Sequence, residues 1–433
     1  MSTLLLSTVL MAAGELTTAT VLPFAVQELH GIALYGLAFS VSSLVDMAAT
    51  VLAGDLTDRQ GPRRPFAIGV TLFCLGVVIV LTAPGMTVLV IGRCVMGAGK
   101  GLFAGAAFAA QTISIPAQLR SRVLAITLTL WLPTAIIVPQ AAALLERTWS
   151  WRIAYLPLII LAAGILGFRI YSLDGQAQRK VSDGHLAEGI RVAFGSGLLI
   201  VGINNPNPLL FASGLLTGAV LVTAPLRRLL PAGTFRAAPG LPALILTRAL
   251  FGFGVLALES FESLALTTVR SEPGWVLGVM MACGSLGVST GGWIRHRYCR
   301  RISAVHLLRI GAAISILGVG GFCVSVFTPI PVAIPLIFVV VRHLGWGIVV
   351  TGTAEALMAL APRRQEGKVT AAGETLLKLG FGLAPGIGGV FVATAVRQGM
   401  GAGSGIAAAG ALSAVALTAA FLLFPRIQRD TVR

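Results

Sequence analysis

The feature that constrains this chain most is a repeated alternation. Apolar runs near the ~20 residues that a helix needs to cross a bilayer recur along its whole length, and short charged turns separate them. Hydrocarbon offers no partner to backbone N–H and C=O groups, so such runs fold as helices that satisfy their own backbone. Composition agrees with that. Of 433 residues, 56% are hydrophobic and only 11% charged, against about 25% charged in a soluble domain. A water-soluble globule could not cover its surface with so few polar groups. The 52 glycines suit membrane helices, where small residues let backbones approach. The fold class read from this pattern is an all-α polytopic membrane protein.

About fourteen spans can be placed. The first six are 4–27, 34–53, 65–83, 87–110, 122–145 and 152–171. A polar linker runs from Ser172 to about Gly189. Two shorter apolar segments follow, 190–204 and 208–226, separated by Asn204-Asn205-Pro206-Asn207-Pro208, and then a basic Pro/Gly-rich stretch from Arg227 to Gly240. The last six spans are 242–267, 275–294, 304–327, 332–358, 369–395 and 404–424. The expected organisation is an N-terminal six-helix bundle (1–171), a linker with two extra spanning helices (172–240) and a C-terminal six-helix bundle (241–433). No basic region precedes the first apolar run, so that run is expected to be a spanning helix rather than a cleaved signal peptide.

The net charge of +16 does not sit in one patch or tail. Loops after even-numbered spans hold Arg59, Arg63, Arg64; Arg120, Arg122; Arg179, Lys180, Arg191; Arg227, Arg228, Arg236; Arg295, Arg297, Arg300, Arg301; and Arg363, Arg364, Lys368. Loops after odd-numbered spans hold only Arg147, Arg152, Arg270 and Arg397. This is the positive-inside pattern, which places the even-numbered loops and both termini in the cytoplasm. It also argues against a nucleic-acid partner. Arg outnumbers Lys heavily, a mark of a high-GC bacterial genome, and the expected location is a bacterial plasma membrane. The five cysteines (Cys74, Cys94, Cys283, Cys299, Cys323) lie mostly in apolar segments with no CxxC or Cys/His ligand spacing, so they read as small packing residues, and no metal site is expected.

One charged turn stands out between the second and third spans: Gly54-Asp55-Leu56-Thr57-Asp58-Arg59-Gln60-Gly61-Pro62-Arg63-Arg64. Charge this dense marks a loop at the membrane surface. Gly54 is expected to let a neighbouring helix come close, and Asp58 to pair with Arg59, Arg63 or a helix N-terminus. The spacing (Gly, three residues, Asp-Arg, one residue, Gly, then basic residues) resembles the signature loop of the major facilitator superfamily of transporters, with Pro62 where that family usually has a basic residue. A weaker copy, Gly291-Gly292-Trp293-Ile294-Arg295-His296-Arg297-Tyr298-Cys299-Arg300-Arg301, follows the second of the last six spans and lacks the Asp. The resemblance implies two six-helix halves that work by alternating access, with substrate held near the midplane between them. It further implies that Gly54, Asp58, Arg59, Gly61, Arg63 and Arg64 form a gate that shuts and opens the cytoplasmic side.

Charges inside the spans are the candidates for function, because an ionisable group there is costly unless paired, hydrated or protonated. Glu15 lies about 11 residues, or roughly 16 Å, into the first span. A carboxyl at that depth is fitted to carry a proton. Its segment Glu15-Leu16-Thr17-Thr18-Ala19-Thr20-Val21-Leu22-Pro23 resembles the acidic residue followed by Leu-Pro in helix one of bacterial drug/proton antiporters. Arg93 in Ile91-Gly92-Arg93-Cys94-Val95-Met96-Gly97-Ala98-Gly99-Lys100-Gly101 resembles the family's helix-four motif, which implies an Arg that assists proton transfer to a carboxyl. Gly97, Gly101 and Gly105 form a small-xxx-small face. Lys100, past the middle of that span, is expected to reach a cavity. Asp46 in the second span is a further coupling candidate. Glu259 and Glu262, at i, i+3 on one face, are expected to share a proton or meet a cation. Arg342 and His343 are placed to answer one of these carboxyls. Glu374 and Lys378, at i, i+4, are expected to neutralise each other.

In the fifth span the family's Gly-Pro motif is missing. Pro139 remains in Leu132-Pro133-Thr134-Ala135-Ile136-Ile137-Val138-Pro139-Gln140-Ala141-Ala142-Ala143, where a proline with small neighbours can serve as a hinge. Trp149-Ser150-Trp151-Arg152 suits an outer interface. The extra helix pair resembles the fourteen-helix drug/proton antiporter branch. The expected function is therefore secondary active transport, a proton-coupled efflux of small amphipathic organic compounds. The expected partners are that substrate, protons and the lipid bilayer, for a monomer without cofactor or metal. A metabolite or sugar facilitator of the same fold, working without protons, is the alternative. A membrane-embedded enzyme such as a lipid-linked glycosyltransferase would need a large loop with acidic or metal-binding residues, and no HExxH, DxD or nucleophile motif is present. A channel has no need of a six-plus-six duplication, and no phosphate-binding loop is present for direct ATP drive.

Overall fold

The computed structural model describes residues 2–114, 117–169, 186–203, 208–298, 303–361 and 366–427. Among the described residues there are fourteen α-helices, a few short 3-10 turns and no strand. The N-terminal helices are α1 (Ser2–Glu28), α2 (Tyr35–Gln60), α3 (Arg63–Leu81), α4 (Met86–Ser114), α5 (Ala117–Thr148) and α6 (Leu156–Arg169). The central pair is α7 (Leu186–Ile203) and α8 (Pro208–Leu229). The C-terminal helices are α9 (Leu241–Thr268), α10 (Gly274–Tyr298), α11 (Ala304–Val326), α12 (Ala333–Ala359), α13 (Glu366–Arg397) and α14 (Gly401–Ile427). Each apolar run of the sequence is thus one helix. Among the described residues ten of them, α1–α4 and α9–α14, are long and apolar enough to cross a membrane. α5 stays one helix through Pro133 and Pro139. The linker charges Asp174, Arg179, Lys180 and Asp183, the Asn204–Asn207 turn, and Cys299, Arg300, Arg301, Arg363 and Arg364 lie outside the described residues.

The chain divides into two compact units. One comprises residues 1–222 with 273–281, the other 223–272 with 282–433. In the first unit α4 packs between α2 and α3, while α1 lies on α5 and α7 on α2. In the second, α9 packs between α13 and α14, and α11 against α12. Lipid tails are as apolar as leucine, so burial alone does not drive helices together there; close backbone packing does. The glycine face of α4 supplies it. A side chain at Gly97 or Gly101 would collide with the α2 backbone at Ser42 or Asp46, and one at Gly105 would meet Ala53. On the opposite side Gly99 of α4 and Gly69 of α3 sit equally close to the other helix's backbone. Phe103 then packs edge-on against Phe66 and Phe73, with ring centroids 6.2 and 5.8 Å apart. Exposed residues such as Ile160 and Leu317 turn apolar surface outward.

The charged signature stretch is less of a loop than expected. α2 continues through Asp58 and Arg59 to Gln60, and the break is confined to Gly61-Pro62 before Arg63 opens α3. Gly61 takes the positive φ of 78° that ends the helix. The extension is supported by an i, i+4 pair, Asp55 with Arg59 at 3.0 Å. Gly54 does not serve close approach, since a Cβ there would meet nothing within 4 Å. The second copy behaves differently: a Cβ at Gly291 of α10 would strike the α12 backbone at Leu344 and Gly347. These positions make a paired test. Gly101→Val is expected to lower the melting temperature of the detergent-purified protein, by overpacking worth about 1–3 kcal/mol or more. Gly54→Ala, measured in the same thermal scan, is expected to leave it unchanged.

Candidate functional site: two buried charge clusters

Glu15 is the middle residue of the 27-residue α1. With it the first unit gathers four charges from three helices. Lys100 of α4 contacts its Oε1 directly, and Arg93 lies 3.6 Å from Oε2. Lys100 also reaches Asp46 of α2, at 3.3 Å. The lysine is buried rather than open to a cavity, because two carboxylates take its charge. Gly101, next to Lys100, lets α2 come close enough for that second contact. Arg93, 1% exposed, is held further by Nε donating to Ala38 O (3.3 Å) and Nη1 donating to the Thr18 hydroxyl (2.9 Å). Thr18 donates to Gly14 O one turn back and accepts from the Tyr155 hydroxyl at 3.2 Å. Two anions face two cations, so the cluster is balanced.

The second unit repeats the device on its own first and fourth helices. Arg342 of α12 is fully buried. Its Nη2 lies 2.9 Å from Glu262 Oε1, and its Nη1 lies 3.5 Å from Glu259 Oε2 and donates to Val255 O at 3.0 Å. His343 Nε2 approaches Glu259 Oε2 at 3.6 Å, while Nδ1 bonds Val339 O at 2.8 Å. Arg342 therefore answers both carboxyls, and the two glutamates meet a cation together. Glu262 is 1% exposed and Glu259 about a third open at its side chain. Here two carboxyls face one permanent cation and one imidazole, so the cluster balances only with a further proton. With Nδ1 committed to Val339 O, that proton belongs on Nε2 of His343, facing Glu259, or on a glutamate. The packing leaves Arg342 Nε and Glu262 Oε1 without a hydrogen bond among the described residues, and likewise Arg93 Nη2 in the first unit.

Other candidates are placed differently from expectation. Glu374 is held by Arg248 of α9 across a helix interface, a partner that the i, i+4 spacing to Lys378 did not suggest. Arg248 is 5% exposed and also donates to Val350 O and Thr353. Arg59 is taken by Asp55 rather than Asp58. Buried Arg295, in the second signature copy, pairs with Glu355 of α12 at 2.9 Å. Glu28 receives both Arg152 and the Trp151 indole, at 2.7 Å for the latter, and Arg152 Nη2 donates to Ala83 O. Sequence reasoning missed Thr18, Tyr155, Arg248, Glu355 and Glu28. Arg248 carried a usable signal, a cation well inside the run 242–267; the others stood at run ends or were uncharged. Cys74, Cys94, Cys283 and Cys323 are free thiols.

The sequence profile of the Major Facilitator Superfamily matches residues 4–385. The chain belongs to this superfamily. The superfamily match and the transporter names of its relatives point to a multi-pass membrane transporter rather than an enzyme. It is 27% identical over 154 residues to a probable multidrug-efflux transporter of Mycobacterium tuberculosis, covering 36% of this chain and 33% of that one. The chain thus spans about a third of that relative's length. A broader match is the methylenomycin A resistance protein of Streptomyces coelicolor, 24% identical over 368 residues, 81% of this chain and 76% of that one. A solved POT family transporter in complex with 5-aminolevulinic acid shares the fold, with a TM-score of 0.71 at 13% identity over 99% of this chain and 96% of that one.

The charge clusters and the surface pair at the end of α2 differ in what their loss costs. Arg342→Met leaves the buried Glu262 carboxyl and the partly open Glu259 without their cation and is expected to cost about 3–5 kcal/mol of stability. Chemical unfolding in detergent measures it, and adding Glu262→Gln is expected to recover part of the loss. Arg59→Ala, removing an exposed i, i+4 pair, is expected to cost no more than about 0.5 kcal/mol.

Proposed function

We propose that this transporter is a proton-coupled exporter of small amphipathic organic compounds, of the multidrug type. The observation that carries the reading is the α9–α12 cluster. Glu262, Arg342 and His343 are buried inside α9 and α12, Glu259 beside them is partly open, and the four are one proton short of neutrality with a neutral imidazole. A group that gains or loses that proton changes the charge of a low-dielectric site, and such a change is a strong lever on a conformational equilibrium. Glu15 and Asp46, with Arg93 and Lys100, form the balanced counterpart that we propose responds to the same cycle. The efflux and resistance names of the relatives support the substrate class. The reading includes fourteen spans, with α5–α8 crossing as well, a bacterial plasma membrane, and both termini in the cytoplasm on the charge rule. Asp58, Arg59, Gly61, Arg63 and Arg64, at the α2–α3 turn, are proposed as the cytoplasmic gate, with Glu374, Lys378, Arg342 and His343 nearer the transport path.

A second reading, a facilitator without proton coupling, draws on the first unit. There each carboxylate already has its cation, and such a set can serve as a structural lock alone. Proteoliposomes loaded with ethidium separate the two. An imposed pH gradient is expected to accelerate ethidium movement by the wild type at least about tenfold. Glu262→Gln is expected to lose that acceleration while keeping gradient-independent exchange. Equal wild-type rates with and without the gradient would establish the facilitator instead.

A further inference from the structure

Between α8 and α9 the chain builds a cavity of about 590 Å³ that the transport reading does not use. Its wall includes Arg227, Leu230, Gly233, Thr234, Phe235 and Arg236. We infer that this cavity binds a phosphate group, and specifically the headgroup phosphate of an anionic membrane lipid.

Charge points to an anion. From Gly189 to Leu258 the sequence holds no Asp or Glu, so nothing acidic on α8, the loop or the first half of α9 competes for the arginines. The side chains of Arg227 and Arg236 are exposed and make no hydrogen bond or ion pair among the described residues. Two free guanidinium forks over one concavity match the oxygens of a phosphate.

The loop is also built rather than slack. Thr234 is buried and donates to Pro231 O at 2.7 Å. The amides of Arg236 and Ala238 both bond Gly233 O. Gly240 N donates to Arg426 O on α14, and Arg426 returns Nη1 to Arg236 O and Ala237 O. Ala237 sits at φ 49°, ψ 45°, a left-handed state that a residue with a Cβ adopts at a cost. Strain of this kind persists where surrounding bonds over-determine it, as they do here.

Apolar surroundings favour a lipid over a free anion. Phe235 is 52% exposed beside the arginines, and α8 presents Leu215, Leu216 and Val220 outward on the way to the cavity. A diester phosphate at the cavity would lie where its acyl chains run along α8. On the proposed topology the loop faces the cytoplasmic leaflet, whose anionic lipids attract such basic clusters. Inorganic phosphate and glycerol 1-phosphate offer the same anion without the chains, and they supply the discriminating arms.

The test uses the full chain purified in an uncharged detergent. Lipid retained through washing is measured by native mass spectrometry, with phosphatidylglycerol against phosphatidylcholine. Glycerol 1-phosphate and inorganic phosphate are followed by thermal shift. The wild type is expected to retain phosphatidylglycerol selectively. Arg227→Ala with Arg236→Ala is expected to weaken that retention about tenfold or more, since charge-assisted bonds are lost. The lipid-free melting temperature of the double variant is expected to match the wild type, because neither side chain has a partner among the described residues to lose. Should the double variant not be recovered, the single Arg236→Ala carries the same expectation at several-fold. Retention unchanged by these substitutions, or no preference over phosphatidylcholine, overturns the site. Saturable binding of glycerol 1-phosphate as tight as that of the lipid overturns the lipid assignment.

Discussion

The structure depends on opposite charges that meet inside the bilayer's thickness. Arg93 and Arg342 are each essentially buried, on α4 and α12, and each faces glutamate from the first helix of its own six-helix set. Either charge alone would be rejected from such a site. Together, with the carbonyls of Ala38 and Val255 each accepting a further guanidinium hydrogen bond, they are tolerated. Each pair also fixes how its two helices are rotated, because only one face of α1 or α9 carries the carboxyl. Glycine makes the geometry possible: α4 could not bring Lys100 to Asp46 if Gly101 carried a side chain.

The two clusters share a plan and differ in balance. The first has two anions and two cations and holds Thr18 and Tyr155 in its network. The second has two carboxyls against one arginine and a histidine. Breaking a balanced buried set is costly in any state. A set one proton short of balance is the one that, on the proposed function, gains and loses that proton. On the proposed function, that asymmetry places the exchangeable proton on α9–α12, with the balanced α1–α4 set as its counterpart.

Much of the fold was legible because the membrane imposes one strong rule. Every apolar run became a helix, since no other structure satisfies a backbone in hydrocarbon. The glycine face at Gly97, Gly101 and Gly105 was legible from spacing alone. Most of the charges inside the spans were found, but few of their partners were, Arg342 and His343 against the α9 carboxyls being an exception. Spacing suggested Lys378 for Glu374 but could not show Arg248, because that guanidinium comes from a neighbouring helix far away in sequence. The same reason hid Glu355 and Glu28. Hydropathy reads dense charge as a loop, so it ended the second span at 53, although charges beyond the bilayer are compatible with helix and α2 runs on to Gln60. Resemblance added the family, which the profile match over residues 4–385 establishes.

The central claim is that the second cluster exchanges a proton when substrate binds. The most direct measurement is proton release by the purified protein in weakly buffered detergent as a transported compound is added. The account predicts release from the wild type that disappears in Glu262→Gln and persists in Glu15→Gln. No release from a wild type shown by fluorescence to bind the compound would contradict it, as would release that Glu262→Gln leaves intact.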